Sequence, residues 1–424
     1  MARTFRISRR RALTLAGVTA AAGAGAGVAA GRATPEATAS PADPDVLSYP
    51  FHGEHQAGIT TPAQDRLHFA AFDVDDISRE ELIGLLEDWT SAAARMSQGG
   101  SAGDFAPDAG PYEAPPEDTG EAMDLGPTGL TITFGFGPTL FTTADGTDRF
   151  GIADRRPQVL TELPTFAGDM LEERISGGDL CIQACADDPQ VAVHAVRNLS
   201  RIAFGRASLR YSQLGFGRTS STSTAQVTPR NLFGFKDGTA NVKAEDPAAV
   251  DEHVWVAEGD DQAWMAGGSY LVSRKVRMNV EPWDRTRLSE QERSIGRTKG
   301  TGAPLSGGDE FTAPDFAMPG SGGRPIIAEQ SHVRLAHPDS NGGARMLRRG
   351  YNYVDGNDDL GRLDAGLFFI CFQRDPERSF IPVQTSLAGS DILNEYIRHV
   401  GSGIFAVPGG ATEGSYVGAR LFEA

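Results

Sequence analysis

Arg66-Leu67-His68-Phe69-Ala70-Ala71-Phe72-Asp73-Val74 reads as a strand, and four residues later the chain enters Ser78-Arg79-Glu80-Glu81. A serine three residues ahead of a glutamate is the pattern of a capping box, in which each side chain satisfies a free backbone N–H at the start of a helix. The helix it opens is amphipathic: Leu82, Leu85, Leu86, Trp89, Ala93 and Met96 recur at three- and four-residue steps and line up as one apolar face. Residues 99–126, rich in Gly, Pro and acids, are too polar for a core and read as a loop. Beyond it Leu130-Thr131-Ile132-Thr133-Phe134 reads as a strand, residues 179–186 as another, 190–202 as a helix and 208–214 as a strand. The order β-α-β-β-α-β predicts a split βαβ arrangement, an antiparallel sheet with both helices on one face.

After a long irregular section a second series appears: a strand at 269–279, a polar helix at 287–297, a buried strand at 365–373, a helix at 391–400 and a last strand at 404–407. The expected fold class is therefore α+β, two similar units in tandem without recognisable sequence repetition, over residues 51–220 and 221–424. A chain of 424 residues with 40% apolar content can bury two ordinary cores.

Ahead of the first strand, Ser8-Arg9-Arg10-Arg11-Ala12-Leu13 precedes an uncharged stretch of mostly Ala and Gly running to Ala30, and Ala37-Thr38-Ala39 follows as a small-residue cleavage site. Residues 1–39 read as a twin-arginine export signal. A membrane anchor is the competing reading, because ~18–20 apolar residues nearly span a bilayer; Ala and Gly, however, contribute far less transfer energy than Leu or Ile. Residues 40–50 continue a stretch rich in Ala, Thr, Pro and Asp and read as a disordered leader. Export by this route carries folded proteins, often with a cofactor already inserted, so a buried cofactor is worth seeking.

The segment to residue 39 holds six arginines against Glu36 alone, so the −17 of the whole chain becomes −22 on its removal. So acidic a protein lacks the clustered Lys and Arg that nucleic acid or an anionic membrane requires. Neither nucleic acid nor stable membrane insertion is expected. Three cysteines, Cys181, Cys185 and Cys371, with no CxxC, support neither a disulfide framework nor a zinc site and read as small buried apolar groups. A metal, if held, must be held by histidine or carboxylate.

Three segments carry unusual residues. Asn231-Leu232-Phe233-Gly234-Phe235-Lys236-Asp237-Gly238-Thr239-Ala240-Asn241 contains an Asp-Gly turn that lets the backbone approach something closely. Taken alone, Asp237 reads first as a turn former bonding its own backbone. Ser331-His332-Val333-Arg334-Leu335-Ala336-His337-Pro338 sets two histidines five residues apart. Such an imidazole can ligate a metal, though a lone histidine is more often a satisfied polar group. Met346-Leu347-Arg348-Arg349-Gly350-Tyr351-Asn352-Tyr353 pairs two arginines, which usually form surface ion pairs; a strand can instead aim one inward and the other out.

With Pro50-Phe51-His52-Gly53-Glu54-His55-Gln56-Ala57-Gly58-Ile59 before them and Gly268-Ser269-Tyr270-Leu271-Val272 between, these segments resemble the dye-decolourising peroxidase family. The likeness is strongest to its exported deferrochelatase/peroxidase branch, covers nearly the whole chain behind the signal, and includes the GxxDG hallmark, here Gly234 to Gly238. The resemblance implies two tandem ferredoxin-like domains of the dimeric α/β-barrel type, antiparallel sheets with helices packed on them. It further implies one haem b per chain, held by the C-terminal domain. His332 matches the proximal iron ligand, Asp237 the distal acid/base and Arg348 the distal arginine. Gly238, Thr239, Ala240, His337, Pro338, Asp339 and Arg348 fall at haem contacts, with His337 and Asp339 standing where a close relative has Asn and Arg. Asp391 falls where relatives orient the proximal histidine with a carboxylate. Arg274 and Arg277 are candidates for a haem propionate, while His52, His55, His68, His194, His253 and His399 keep a structural reading.

The implied activity is oxidation of dyes, phenolic or other bulky aromatic donors by hydrogen peroxide. Asp237 would take and return a proton while Arg348 stabilises the charge on the departing oxygen. Bulky dyes do not fit a small distal pocket, so oxidation at the surface through Tyr351, Tyr353, Trp255 or Trp264 is the expectation. A carboxyl free of strong desolvation titrates near ~3.9, which predicts an acidic optimum. The competing readings are a deferrochelatase releasing iron from haem with the porphyrin intact, a non-catalytic haem-binding protein, and an encapsulated cargo peroxidase. A homo-oligomer is left open.

Overall fold

The computed structural model describes residues 47–423; the segment read as an export signal and most of the expected leader lie outside them. The end of the leader packs on the core rather than running free, since Leu47 O accepts from Gly129 N at 2.7 Å and Tyr49 O from Gln98 Nε2 at 2.9 Å.

Strand β1 is Arg66–Val74 and the helix after it Arg79–Met96. Its capping box forms as expected: Glu81 N donates to Ser78 Oγ at 3.2 Å and Ser78 N to Glu81 Oε2 at 2.8 Å. The six apolar positions read from the sequence are all buried, with Thr90 and Ala92 beside them. Strands β2 (Thr131–Phe136) and β3 (Leu180–Ala186) follow, then the helix Pro189–Ile202 capped by Asp188, then β4 (Ala207–Arg218). β1 pairs antiparallel with β3 and β4, and β3 with β2, giving the order β2-β3-β1-β4.

The second half contributes β5 (Ser269–Met278), β6 (Leu347–Arg348), β7 (Tyr351–Asn357), β8 (Leu363–Gln373) and β9 (Ile397–Val407). β5 pairs with β8 and β9, and β8 with β7 and β6. The halves join through β4–β7 at Phe216↔Asn352 and Arg218↔Tyr351, and through β2–β9 at Phe136↔Ala406. Among the described residues the nine strands thus form one antiparallel sheet, closed into a barrel by the β5–β8 pairing. The expected boundary at residue 220 falls just past β4, and the strands on either side of it share that sheet.

Alternation sorts the side chains. Leu67, Phe69 and Ala71 of β1 cluster inside the barrel with Tyr211, Phe368, Ile370 and Phe405, whereas Ala70 and Phe72 pack with Ile132, Phe134 and Trp89 beneath the helices. All three cysteines are free and buried. No helix of the described residues is long and apolar enough to cross a membrane.

One expected element is wrong. The helix at 391–400 is a short 3-10 turn, Ile392–Glu395, followed at once by β9, and the helix of this region lies earlier, at Phe380–Ser390. β9 pairs with β5 from Ile397 to Val407, and that ladder overrides the helical appearance of its first residues.

Candidate active site

His332 opens a single helical turn, His332–Leu335, behind the buried Ser331, whose hydroxyl donates to Ala328 O at 2.8 Å. Its Nδ1 lies 2.6 Å from Asp391 Oδ2. Asp391 ends the helix Phe380–Ser390, and its other oxygen accepts from Leu393 N at 2.9 Å, so this carboxylate is fixed from both sides. It is almost wholly buried, while 35% of the His332 side chain remains open. A carboxylate on Nδ1 selects the tautomer that leaves Nε2 as a lone-pair donor to a ligand. Burial pulls the ring's pKa down, but the Asp391 charge and hydrogen bond outweigh it and hold the pKa above the ordinary value. The charges of Asp237 and Arg348 also reach this ring, the first favouring its protonation and the second opposing it.

Asp237 leaves a small hairpin bridged at Arg230↔Lys236, whose Phe233 and Phe235 are anchored on Trp283 with ring centroids at 4.4 and 6.0 Å. Asp237 N donates to Pro229 O at 3.0 Å, and its Oδ2 accepts from Asn231 Nδ2 at 3.3 Å. Its Oδ1 accepts from Arg348 Nη1 at 3.0 Å. The residue after it must be glycine: Gly238 has φ +81°, and a Cβ there would lie 2.9 Å from Ser220 Cα.

Arg348 stands on β6 opposite Cys371 of β8. The side chain of Asn241 closes on its backbone from both directions, accepting from Arg348 N at 2.7 Å and donating to Arg348 O at 2.8 Å. Strand alternation sends the next residue to the other face. Arg349 is fully buried there, donating to Thr61 O at 2.5 Å and to Gln64 Oε1, while Arg348 stays partly open.

The remaining candidates divide. Gly238 is buried beside Asp237, Thr239 Oγ1 donates to Glu310 Oε1 at 3.3 Å, and Ala240 is exposed. His337 and Pro338 start a 3-10 turn on the His332 side, with the His337 ring edge-on to Phe316 at 5.0 Å. Asp339 has an 85% exposed carboxylate turned to solvent. Arg274 is buried in an ion pair with Asp169 and donates to Ser402 Oγ at 3.2 Å. Arg277 is likewise committed, to Asp358 at 2.8 Å and Asp364 at 3.7 Å. Each guanidinium is paired with a nearby carboxylate.

Tyr351, Tyr353, Trp255 and Trp264 are all buried, so none of them presents a ring to a bulky donor at the surface. Of the other histidines, His55 stacks on Trp255 at 3.9 Å, His194 sits between Asp118 and Glu121 at 3.3 and 3.4 Å, and burial lowers His68 to about 4 and His399 to about 3. The sequence reading missed Asn241 and Glu310. Asn241 ends the very segment that drew attention to Asp237, but its role depends on a strand 107 residues away.

Among the described residues no group of three or more His, Cys, Asp or Glu is arranged to hold a metal ion. A metal on His332 must therefore bring most of its own ligands, as iron in a porphyrin does. One imidazole backed by a carboxylate, with an acid and a fixed cation close by, fits haem.

The chain matches the model of the N-terminal part of the Dyp-type peroxidases over residues 56–217 and that of the C-terminal part over 228–412. It is 39% identical over 423 residues to the deferrochelatase of Escherichia coli (strain K12), covering 98% of this chain and 97% of that protein. It is 41% identical over 382 residues to the dye-decolorizing peroxidase of Thermobifida fusca (strain YX), covering 87% and 84% of the two. Ferric DtpA from Streptomyces lividans resembles it in structure with a TM-score of 0.81 at 44% identity, over 89% of this chain and 98% of that one. A DyP-type peroxidase from Cellulomonas bogoriensis does so with 0.79 at 39% identity, over 90% and 100%.

Proposed function

The chain belongs to the Dyp-type peroxidase family and is a haem-dependent peroxidase; on that premise we propose that His332 is its iron ligand, Asp237 its acid/base and Arg348 its charge-stabilising cation. The group is haem b, one per chain. One observation carries the reading: an imidazole whose Nδ1 is committed to Asp391 lies within electrostatic reach of the Asp237–Arg348 pair.

Haem supplies, when bound, an iron centre that takes oxidising equivalents from hydrogen peroxide and passes them to donors one electron at a time. His332 Nε2 would hold the iron, and Asp391 keeps the ring from rotating and raises its basicity. Gly238 lets the turn that carries Asp237 pack against Ser220. Asp237 Oδ1 or Oδ2 takes the proton from one peroxide oxygen and delivers it to the other. Arg348, permanently charged, offsets the negative charge on the departing oxygen, and its bond to Asp237 keeps the two groups side by side.

The donors are bulky aromatic compounds, a reading supported by the name of the Thermobifida fusca relative. Residues 1–39 are an export signal of the twin-arginine type, and the protein works outside the cytoplasm. The strand orders β2-β3-β1-β4 and β7-β8-β5-β9 support reading the two halves, divided near residue 220, as ferredoxin-like units.

Absorption spectra before and after one equivalent of peroxide test the assignment. His332→Ala is expected to lose or loosen haem; Asp237→Ala is expected to keep it and react slowly. An Asp237 variant reacting at the native rate would remove the carboxylate from the mechanism. The similarity to a deferrochelatase favours a second reading, release of iron from haem with the porphyrin left whole. Incubation with haem while following free iron and intact porphyrin, without peroxide, separates the two.

A further inference from the structure

Between Arg297 and Ser331 the chain runs through a long, mostly exposed section with little regular structure, yet one acidic residue in it is buried. Glu310 is 9% exposed. Its carboxylate grips both sides of Asp237: Lys236 forms an ion pair with Oε2, and Thr239 Oγ1 donates to Oε1 at 3.3 Å. The main-chain carbonyl of Glu310 accepts from the buried Arg297 at 2.7 Å. Burial raises the Glu310 pKa, but Lys236 and the hydroxyls outweigh that and bring it below the ordinary value. Six residues on, Phe316 O accepts from Arg334 Nη1 at 3.0 Å and the Phe316 ring packs on His337. One short run of chain therefore holds residues 236–239 at one end and 334–337 at the other.

This anchoring matters because Asp237 lies in a loop, outside any helix or strand. A proton shuttle works only when its carboxylate is held at a set place relative to its partner. Glu310 also neutralises Lys236, the cation next in the chain to Asp237. The other charges around the pair are Arg348 on Asp237, the His332 ring, and Lys243, which feels both Arg348 and Glu310.

We propose that Glu310 is the positioning residue of the distal carboxylate: by holding Lys236 and Thr239 it sets where Asp237 stands against Arg348 and keeps the Lys236 charge away from it. The proposal rests on the reading of Asp237 as the acid/base.

The test uses haem-loaded enzyme and the rate of the Soret change on mixing with hydrogen peroxide, measured against pH. Glu310→Gln is expected to retain haem and to react on the order of tenfold more slowly. The acid limb of its pH profile should move to lower pH, because an unneutralised Lys236 favours the ionised carboxylate. Adding Lys236→Met should return that limb towards the native position while the rate stays low. Thr239→Val, which removes only the neutral half of the grip, is expected to slow the reaction a few-fold and serves if Glu310→Gln does not fold. Native rate and pH profile in the loaded variants, or a loss that only tracks haem content, would overturn the proposal. Asp237→Asn is the control for the underlying reading: if it reacts at the native rate, that reading fails, and if it is slow while Glu310→Gln is normal, only the present proposal does.

Discussion

His332 is defined less by being a histidine than by what holds its second nitrogen. Asp391 is buried, fixed by Leu393 N, and lies 2.6 Å from Nδ1. Removing its charge in Asp391→Asn should weaken haem binding by roughly 10–100-fold at pH values where the ring is neutral. The same carboxylate raises the ring's pKa above 6.5 in the haem-free protein. A protonated imidazole cannot ligate iron, so haem uptake should weaken on the acid side of a midpoint above 6.5, and Asp391→Asn should move that midpoint down. Titrations of haem-free protein with haem at several pH values measure both effects. Unchanged affinity and an unchanged midpoint would mean that Asp391 merely fills space.

Two elements too small to stand alone carry the other side of the site. The Asp237 turn needs Gly238, where a side chain would combine a left-handed backbone with a Cβ 2.9 Å from Ser220 Cα. Gly238→Ala should cost about 2–4 kcal/mol from these two sources, read as a lowered denaturation midpoint. β6 is only two residues long and is held to the Asp237 segment by Asn241. Asn241→Ala leaves the backbone N–H and C=O of Arg348 without this partner, at about 2–3 kcal/mol. Because it also frees Arg348, the peroxide reaction should slow in protein that still carries haem; a native rate would show that β6 is held by β8 alone.

Across the whole molecule, the two halves of the barrel join through two thin seams, and Gln56 reinforces one of them by bonding both Phe134 of β2 and Pro408 just beyond β9. Two histidines sit in this framework with depressed pKa values, His68 at about 4 and His399 at about 3, both chiefly because burial disfavours the charged ring. In the unfolded chain each takes up a proton below about 6.5. The unfolded state therefore binds more protons between pH 6.5 and these lower values, and stability should fall as pH falls through that window. Thermal melts between pH 7 and 4 check this, and the double variant His68→Gln with His399→Gln should flatten the slope. An acidic optimum for dye oxidation would lie inside the same window, where the fold is giving up stability.

What the sequence settled by itself was local. The Ser78–Glu81 box and the apolar stripe behind it appear as read, because caps and helical faces are written within a few residues. His332, Asp237 and Arg348 were legible because each lies in a short segment of unusual composition that also resembles a known family. Tertiary structure decided the rest. β9 took residues that look helical because β5 pairs with them along their whole length. Arg274, Arg277 and Arg349 are tied up by partners up to 290 residues away, and Tyr351 and Tyr353 are buried inside the barrel rather than exposed on it. Glu310 stands at Asp237 only because a long loop returns there. Such pairings depend on which distant segments the closed sheet brings together, and no local pattern of residues records that.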